Sequence, residues 1–119
     1  MAILYVEDNP DLRLITVRLL HRRGIEVVDV ESGEQALKAL NGSNNFTGVL
    51  LDIDLPGING VETYRRLRQA LPNLPAVVMS ASLSEDHRQS LLELGVPPEC
   101  LLAKPCRFAE LERALQNVV

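Results

Sequence analysis

The stretch Gly48-Val49-Leu50-Leu51-Asp52 is an unbroken apolar run that ends on a carboxylate. It has the length of a strand but not the in-and-out alternation of a strand with one wet face. Such a run suits a strand covered on both sides, as in a parallel sheet. Four more runs share its character: Ile3-Leu4-Tyr5-Val6, Glu26-Val27-Val28-Asp29-Val30, Ala76-Val77-Val78-Met79 and Leu101-Leu102-Ala103. Helical spacing fills the intervals. Leu12, Ile15 and Leu19 make one apolar stripe, Val61, Tyr64, Leu67 and Leu71 a second, and Phe108, Leu111, Leu115 and Val118 a third, each expected to face the core.

The punctuation agrees with that division. Asn9-Pro10-Asp11 reads as an N-cap, a first-turn proline and an acid on the positive end of a helix dipole. Ser32 with Gln35 three residues on forms a capping box, and Ser84-Glu85-Asp86 opens a fourth helix. Gly24 and Gly95 stand where a helix ends in a left-handed residue. Asn41 to Asn45 reads as a polar loop. The order is β-α repeated five times, which gives an α/β fold with helices on both faces of a parallel sheet, joined by right-handed crossovers. Residues 1–119 are expected to form a single domain.

Composition excludes several function classes. The net charge is −4 and aromatics make up 3%, so neither a basic face nor a base-stacking surface for nucleic acid is expected. No apolar run reaches the length of a membrane span. The opening residues carry no basic leader, which points to the cytoplasm. Cys100 and Cys106 flank a strand, and at about 3.3 Å per residue they stand roughly 20 Å apart, too far for a disulfide.

In open α/β sheets the ligand crevice lies beyond the carboxyl ends of the strands, where the strand order reverses. With the common order 2-1-3-4-5, that point falls between strands one and three. Strand one runs into Glu7-Asp8, strand three ends at Asp52, and the neighbouring strands end at Ser80 and Lys104. Three clustered carboxylates repel one another, and a hard divalent cation such as Mg²⁺ relieves them. A carboxylate is also a competent nucleophile in phosphoryl transfer, with an ammonium and a hydroxyl to neutralise the transferred charge. Taken singly, Glu7-Asp8 is a solvated turn, Asp52 a strand-end cap and Lys104 a surface charge. The fold is what brings them together.

Val6-Glu7-Asp8-Asn9, Leu51-Asp52-Ile53-Asp54-Leu55-Pro56-Gly57-Ile58-Asn59-Gly60, Met79-Ser80-Ala81 and Lys104-Pro105 resemble, in order and interval, the four motifs of response-regulator receiver domains. The resemblance covers nearly the whole chain. It implies a flavodoxin-like, doubly wound five-stranded sheet with five helices. It implies Asp52 as phosphoacceptor, and Glu7, Asp8, Asp52 and the backbone carbonyl of Asp54 as Mg²⁺ ligands. Ser80 and Lys104 then attend the phosphoryl group, and the Lys104–Pro105 bond is cis. The implied donor is a histidine kinase or a histidine phosphotransfer domain. The implied output face is helix 4, strand 5 and helix 5, roughly Ser84 to Val119, which also offers a homodimer surface. Two positions depart from the family pattern: Leu101 replaces the usual aromatic three residues before the lysine, and Cys106 replaces a common aromatic after Lys-Pro.

Two rivals share this chemistry or topology. An aspartate-nucleophile phosphatase would use Asp52 and Asp54, but such enzymes place that pair on the first strand. A flavin-binding module would need a Gly/Ser/Thr-rich phosphate loop after strand one. This chain has Glu7-Asp8-Asn9-Pro10 there instead.

Overall fold

The computed structural model describes residues 2–42, 46–116 and 118. Strands β1 (Ala2–Val6), β2 (Val27–Val30), β3 (Phe46–Asp52), β4 (Ala76–Ser80) and β5 (Leu101–Ala103) alternate with helices α1 (Pro10–Arg22), α2 (Gly33–Gly42), α3 (Gly60–Ala70), α4 (Glu85–Glu93) and α5 (Phe108–Leu115). A 3₁₀ turn, Pro98–Cys100, precedes β5. The sheet is wholly parallel, in the order β2-β1-β3-β4-β5. This is the doubly wound sheet that the apolar runs predict. Its three central strands carry the core: Ile3 to Val6, Val49 to Leu51 and Ala76 to Met79 are all buried. The edge strand β2 is wetter, and Val28 is exposed there.

Most of the caps form as expected. Asn9 Oδ1 accepts from the amides of Asp11 and Leu12, and Ser84 Oγ accepts from His87. Gly24 and Gly95 have φ of 78° and 95°, a backbone that a side chain disfavours. The α2 capping box is half made. Ser32 Oγ accepts from the Gln35 amide, but Gln35 Oε1 accepts from Glu31 N, one residue before the cap. Helix α2 runs on through Asn41 and Gly42, and the rest of the expected loop, 43–45, lies outside the described residues.

The expectation for the α1 stripe is corrected. Leu12 and Ile15 are exposed and Leu19 is half-buried; the α1 residues that face the core are Thr16 and Leu20. The apolar stripe of α1 therefore looks outward beside α5, where with Met79, Phe108 and Leu111 it lines a groove of about 540 Å³. Arg68 on α3 is half-buried. Its guanidinium donates to the Leu94 carbonyl and the Tyr64 hydroxyl, which ties α3 to the end of α4. Arg65 and Arg66 lie at the surface, paired with Glu62. No disulfide joins Cys100 and Cys106.

Close backbone packing sets the site's floor. Helix α3 begins at Gly60, capped by Asn59 and bonded from Gly60 N to the Ile53 carbonyl at 3.1 Å. A β-carbon on Gly60 would lie 2.6 Å from Ile53 Cα and 2.8 Å from the Asp52 carbonyl oxygen. Both neighbours are backbone, so no rotamer change relieves the clash. Gly60→Ala is expected to cost about 3 kcal/mol, read as a lowered denaturant midpoint. An unchanged midpoint would mean that α3 shifts freely against β3.

Candidate functional site

The site assembles where four strands end. The turn after β1 is pinned by the Asn9 cap and by Arg13, whose guanidinium donates to the Glu7 carbonyl at 2.8 Å. Arg13 also pairs with Asp29 on β2 at 3.2 Å. This turn directs Glu7 inward, where it is 1% exposed, and leaves Asp8 at the surface. Asp52 closes β3 and Ser80 closes β4, and both are buried. Lys104 follows β5, its amide held by the Ser80 carbonyl at 2.8 Å, and its bond to Pro105 is cis.

The Lys104 ammonium bridges two carboxylates. Nζ donates to Glu7 Oε1 and to Asp52 Oδ2, each at 2.9 Å. The second Glu7 oxygen accepts from Asn9 N at 3.2 Å, and Asp52 Oδ1 accepts from Asp54 N at 3.0 Å. Oxygens of Glu7, Asp8 and Asp52 lie within 4.8 Å of one another. Against these three negative charges the cluster sets a single ammonium.

Burial and pairing compete in the titration of the cluster. It pushes the Glu7 carboxyl above the usual range, and the Asp52 charge adds to the rise; the Lys104 hydrogen bond offsets only part of it. Burial alone would lower the Lys104 ammonium. Its hydrogen bonds to Glu7 and Asp52 and the charges of both acids outweigh burial, so its pKa moves up. Beneath them, burial pushes the Tyr5 phenol up to about 12, while the Thr16 hydroxyl pulls the other way. The Tyr5 hydroxyl has no partner at hydrogen-bonding geometry.

The donor set fits a hard cation. It is all oxygen, and the cluster is two negative charges in excess. Its oxygens are spread little wider than the roughly 4.2 Å that separates opposite ligands of Mg²⁺ at about 2.1 Å each.

The structure brings Glu7, Asp8, Asp52 and Lys104 together and sets Ser80 at the neighbouring strand end, but sequence reasoning missed how the side chains pair. The Asp54 carboxylate does not face the acceptor. Its Oδ2 accepts from Ser80 Oγ at 3.2 Å and from Ala81 N at 3.1 Å. Nothing local signals that link, because 26 residues separate its ends. Arg13 was also missed, although its place on the first turn of α1 offered a signal.

Comparison with known proteins decides the family. The model of the response regulator receiver domain matches residues 3–116. The chain belongs to the response-regulator receiver family. This receiver is 40% identical over 111 residues to the transcriptional activator protein ExaE of Pseudomonas putida, a match covering 91% of this chain and 47% of that protein. It is 35% identical over 102 residues to the sensor protein TorS of Escherichia coli K12, covering 83% of this chain and 11% of TorS. The receiver thus spans less than half of either relative. In fold it is similar to a CheY-like receiver domain protein of Methanospirillum hungatei JF-1, with a TM-score of 0.89 at 21% identity, covering 98% of this chain and 90% of that one. Receivers are the phosphorylation-dependent switches of two-component signalling. Among the described residues, no helix of this one is long and apolar enough to cross a membrane.

Proposed function

We propose that this receiver takes a phosphoryl group from a phosphohistidine partner onto a carboxylate oxygen of Asp52. The P–N bond to the donor imidazole breaks as the O–P bond forms, and the imidazole leaves with a proton. The observation that carries this reading is the Lys104 ammonium, 2.9 Å from Asp52 and 2.9 Å from Glu7. A buried nucleophile stands beside a fixed positive charge, in a cluster still short of cation. Positioning and neutralisation are what phosphoryl transfer asks of a protein.

Glu7, Asp8, Asp52 and the Asp54 backbone carbonyl would hold Mg²⁺, which when bound neutralises charge on the transferred group. Lys104 takes one phosphoryl oxygen, and the Ser80 hydroxyl donates to another. Two features support a protein donor, a histidine kinase or a histidine phosphotransfer domain. The apolar stripe of α1 faces outward, and the groove it lines reaches Lys104, which bonds the acceptor. A small exposed apolar patch of this kind marks a binding surface. Output then falls to the face of α4, β5 and α5, which is also the candidate homodimer surface. Leu101, half-buried at the start of β5, supplies neither ring nor hydroxyl to report the state, so the switch must be read by other side chains. The domain acts as a phosphoacceptor that assists its own transfer and dephosphorylation, in the cytoplasm. The phosphatase reading finds no support, because the Asp54 carboxylate is occupied by Ser80 and Ala81.

Incubation with acetyl phosphate and Mg²⁺, followed by intact mass and peptide mapping, tests the proposal. One phosphoryl group on the peptide containing Asp52 is expected, and none when EDTA replaces Mg²⁺. No gain at saturating donor, or a gain on another peptide, would overturn it.

A further inference from the structure

We propose that the Asp54 carboxylate is a positioning residue: it holds the Ser80 hydroxyl away from the acceptor in the resting protein and thereby sets the threshold for activation. The inference rests on the phosphoacceptor reading above and goes beyond it.

The hydroxyl of Ser80 has one proton to donate. Here that proton goes to Asp54 Oδ2, and the oxygen accepts in turn from Ser82 N at 3.1 Å. Ser80 is 3% exposed, so water offers little alternative. The same Asp54 oxygen takes the Ala81 amide at 3.1 Å. One carboxylate therefore fastens both the β4 terminus and the first amide of the following loop to the loop after β3. Ser80 cannot donate to a phosphoryl oxygen on Asp52 until it releases Asp54.

A phosphoryl group carries more negative charge than a carboxylate and three strong acceptor oxygens. It wins the hydroxyl, but only by the difference between the two acceptors. Asp54 sits at the surface, which keeps the restraint modest and breakable. Its backbone amide meanwhile donates to Asp52 Oδ1 at 3.0 Å, so the restraint and the acceptor share one short segment. Movement of the Ser80 hydroxyl then frees the Ala81 amide as well, and the release passes to the segment that leads into α4.

Beryllofluoride, with Mg²⁺, tests this as a phosphoryl mimic in the full chain. Its affinity is measured by calorimetry for wild type, Asp54→Ala, Asp54→Asn, Ser80→Ala and the Asp54→Ala/Ser80→Ala double variant. Asp54→Ala is expected to bind roughly three- to tenfold tighter, the worth of one hydrogen bond. Asparagine keeps an oxygen that accepts both bonds, so Asp54→Asn stays near wild type. In the Ser80→Ala background, removing Asp54 changes nothing. In the resting, metal-free protein, the Ala81 amide exchanges faster in Asp54→Ala and not in Asp54→Asn.

Equal tightening by alanine and asparagine, with or without Ser80, would mean that Asp54 merely repels the anion, and would overturn the inference. So would an Asp54→Ala variant that binds no tighter than wild type. If wild type itself binds no beryllofluoride, the phosphoacceptor reading falls and takes this inference with it.

Discussion

With Asp52 replaced by alanine, the protein gains no phosphoryl group from acetyl phosphate at any Mg²⁺ concentration, yet it still folds. Both halves of that result follow from the pairing at the site. Asp52 supplies the oxygen that forms the new bond. The other carboxylates cannot stand in: Glu7 is buried against Lys104, Asp54 is held by Ser80 and Ala81, and Asp8 is turned to solvent. The fold survives because the variant loses two hydrogen bonds, from Lys104 and from Asp54 N, but also loses one of three mutually repelling charges. Lys104 keeps Glu7 as a partner, and the Asp54 amide is open to water. We expect the change in stability to stay within about 1 kcal/mol. Intact mass reads the first effect and thermal unfolding the second. A phosphoryl gain at the wild-type rate would remove Asp52 from the mechanism.

The strands were legible because a parallel sheet writes its burial into uninterrupted apolar runs. Val49 to Leu51 and Ala76 to Met79 are buried on both faces and read as such. Caps were legible because their geometry is local, as at Asn9 and Ser84. The α1 stripe shows what periodicity omits. Leu12, Ile15 and Leu19 share a face, but spacing fixes only their common direction, not what covers them. The core side of α1 carries Thr16 and Leu20, and a buried threonine is no hydrophobic signal.

The same boundary divides the site. That Glu7, Asp52, Ser80 and Lys104 share one rim follows from strand ends and sheet order alone. Which atom bonds which does not. The Lys104–Glu7 pair spans 97 residues and depends on the exact turn after β1. Asp54 invited a reading as a partner of Asp52 in sequence, two residues away, whereas its carboxylate turns across to β4.

Lys104→Met is expected to slow phosphorylation by about a hundred- to a thousandfold, the usual effect of losing one preorganised charge donor. Methionine keeps the length and packing of the stem and removes only the ammonium. The loss strands Glu7, which is 1% exposed, beside a second carboxylate with no cation between them. Removing one partner of a buried pair costs about 3–5 kcal/mol. The lysine side chain is itself 20% exposed, so solvent softens the penalty, and about 2 kcal/mol is expected at neutral pH. The pH dependence has a definite sign. Burial and the Asp52 charge both raise the Glu7 pKa, and without the ammonium nothing as strong opposes them. A carboxyl whose folded pKa lies above its unfolded value costs nothing while protonated in both states, below the ordinary glutamate range. The penalty grows as pH rises through that range towards the folded pKa. The variant should therefore melt closest to wild type in acid and fall behind towards neutrality. Mg²⁺ should narrow the gap in Tm, because a cation at the three carboxylates replaces part of the lost charge, while the slow rate persists. Thermal melts from pH 4 to 8, with and without Mg²⁺, separate the two effects. A variant as fast as wild type, or one whose Tm deficit shrinks as pH rises, would show that the ammonium does not hold this cluster together.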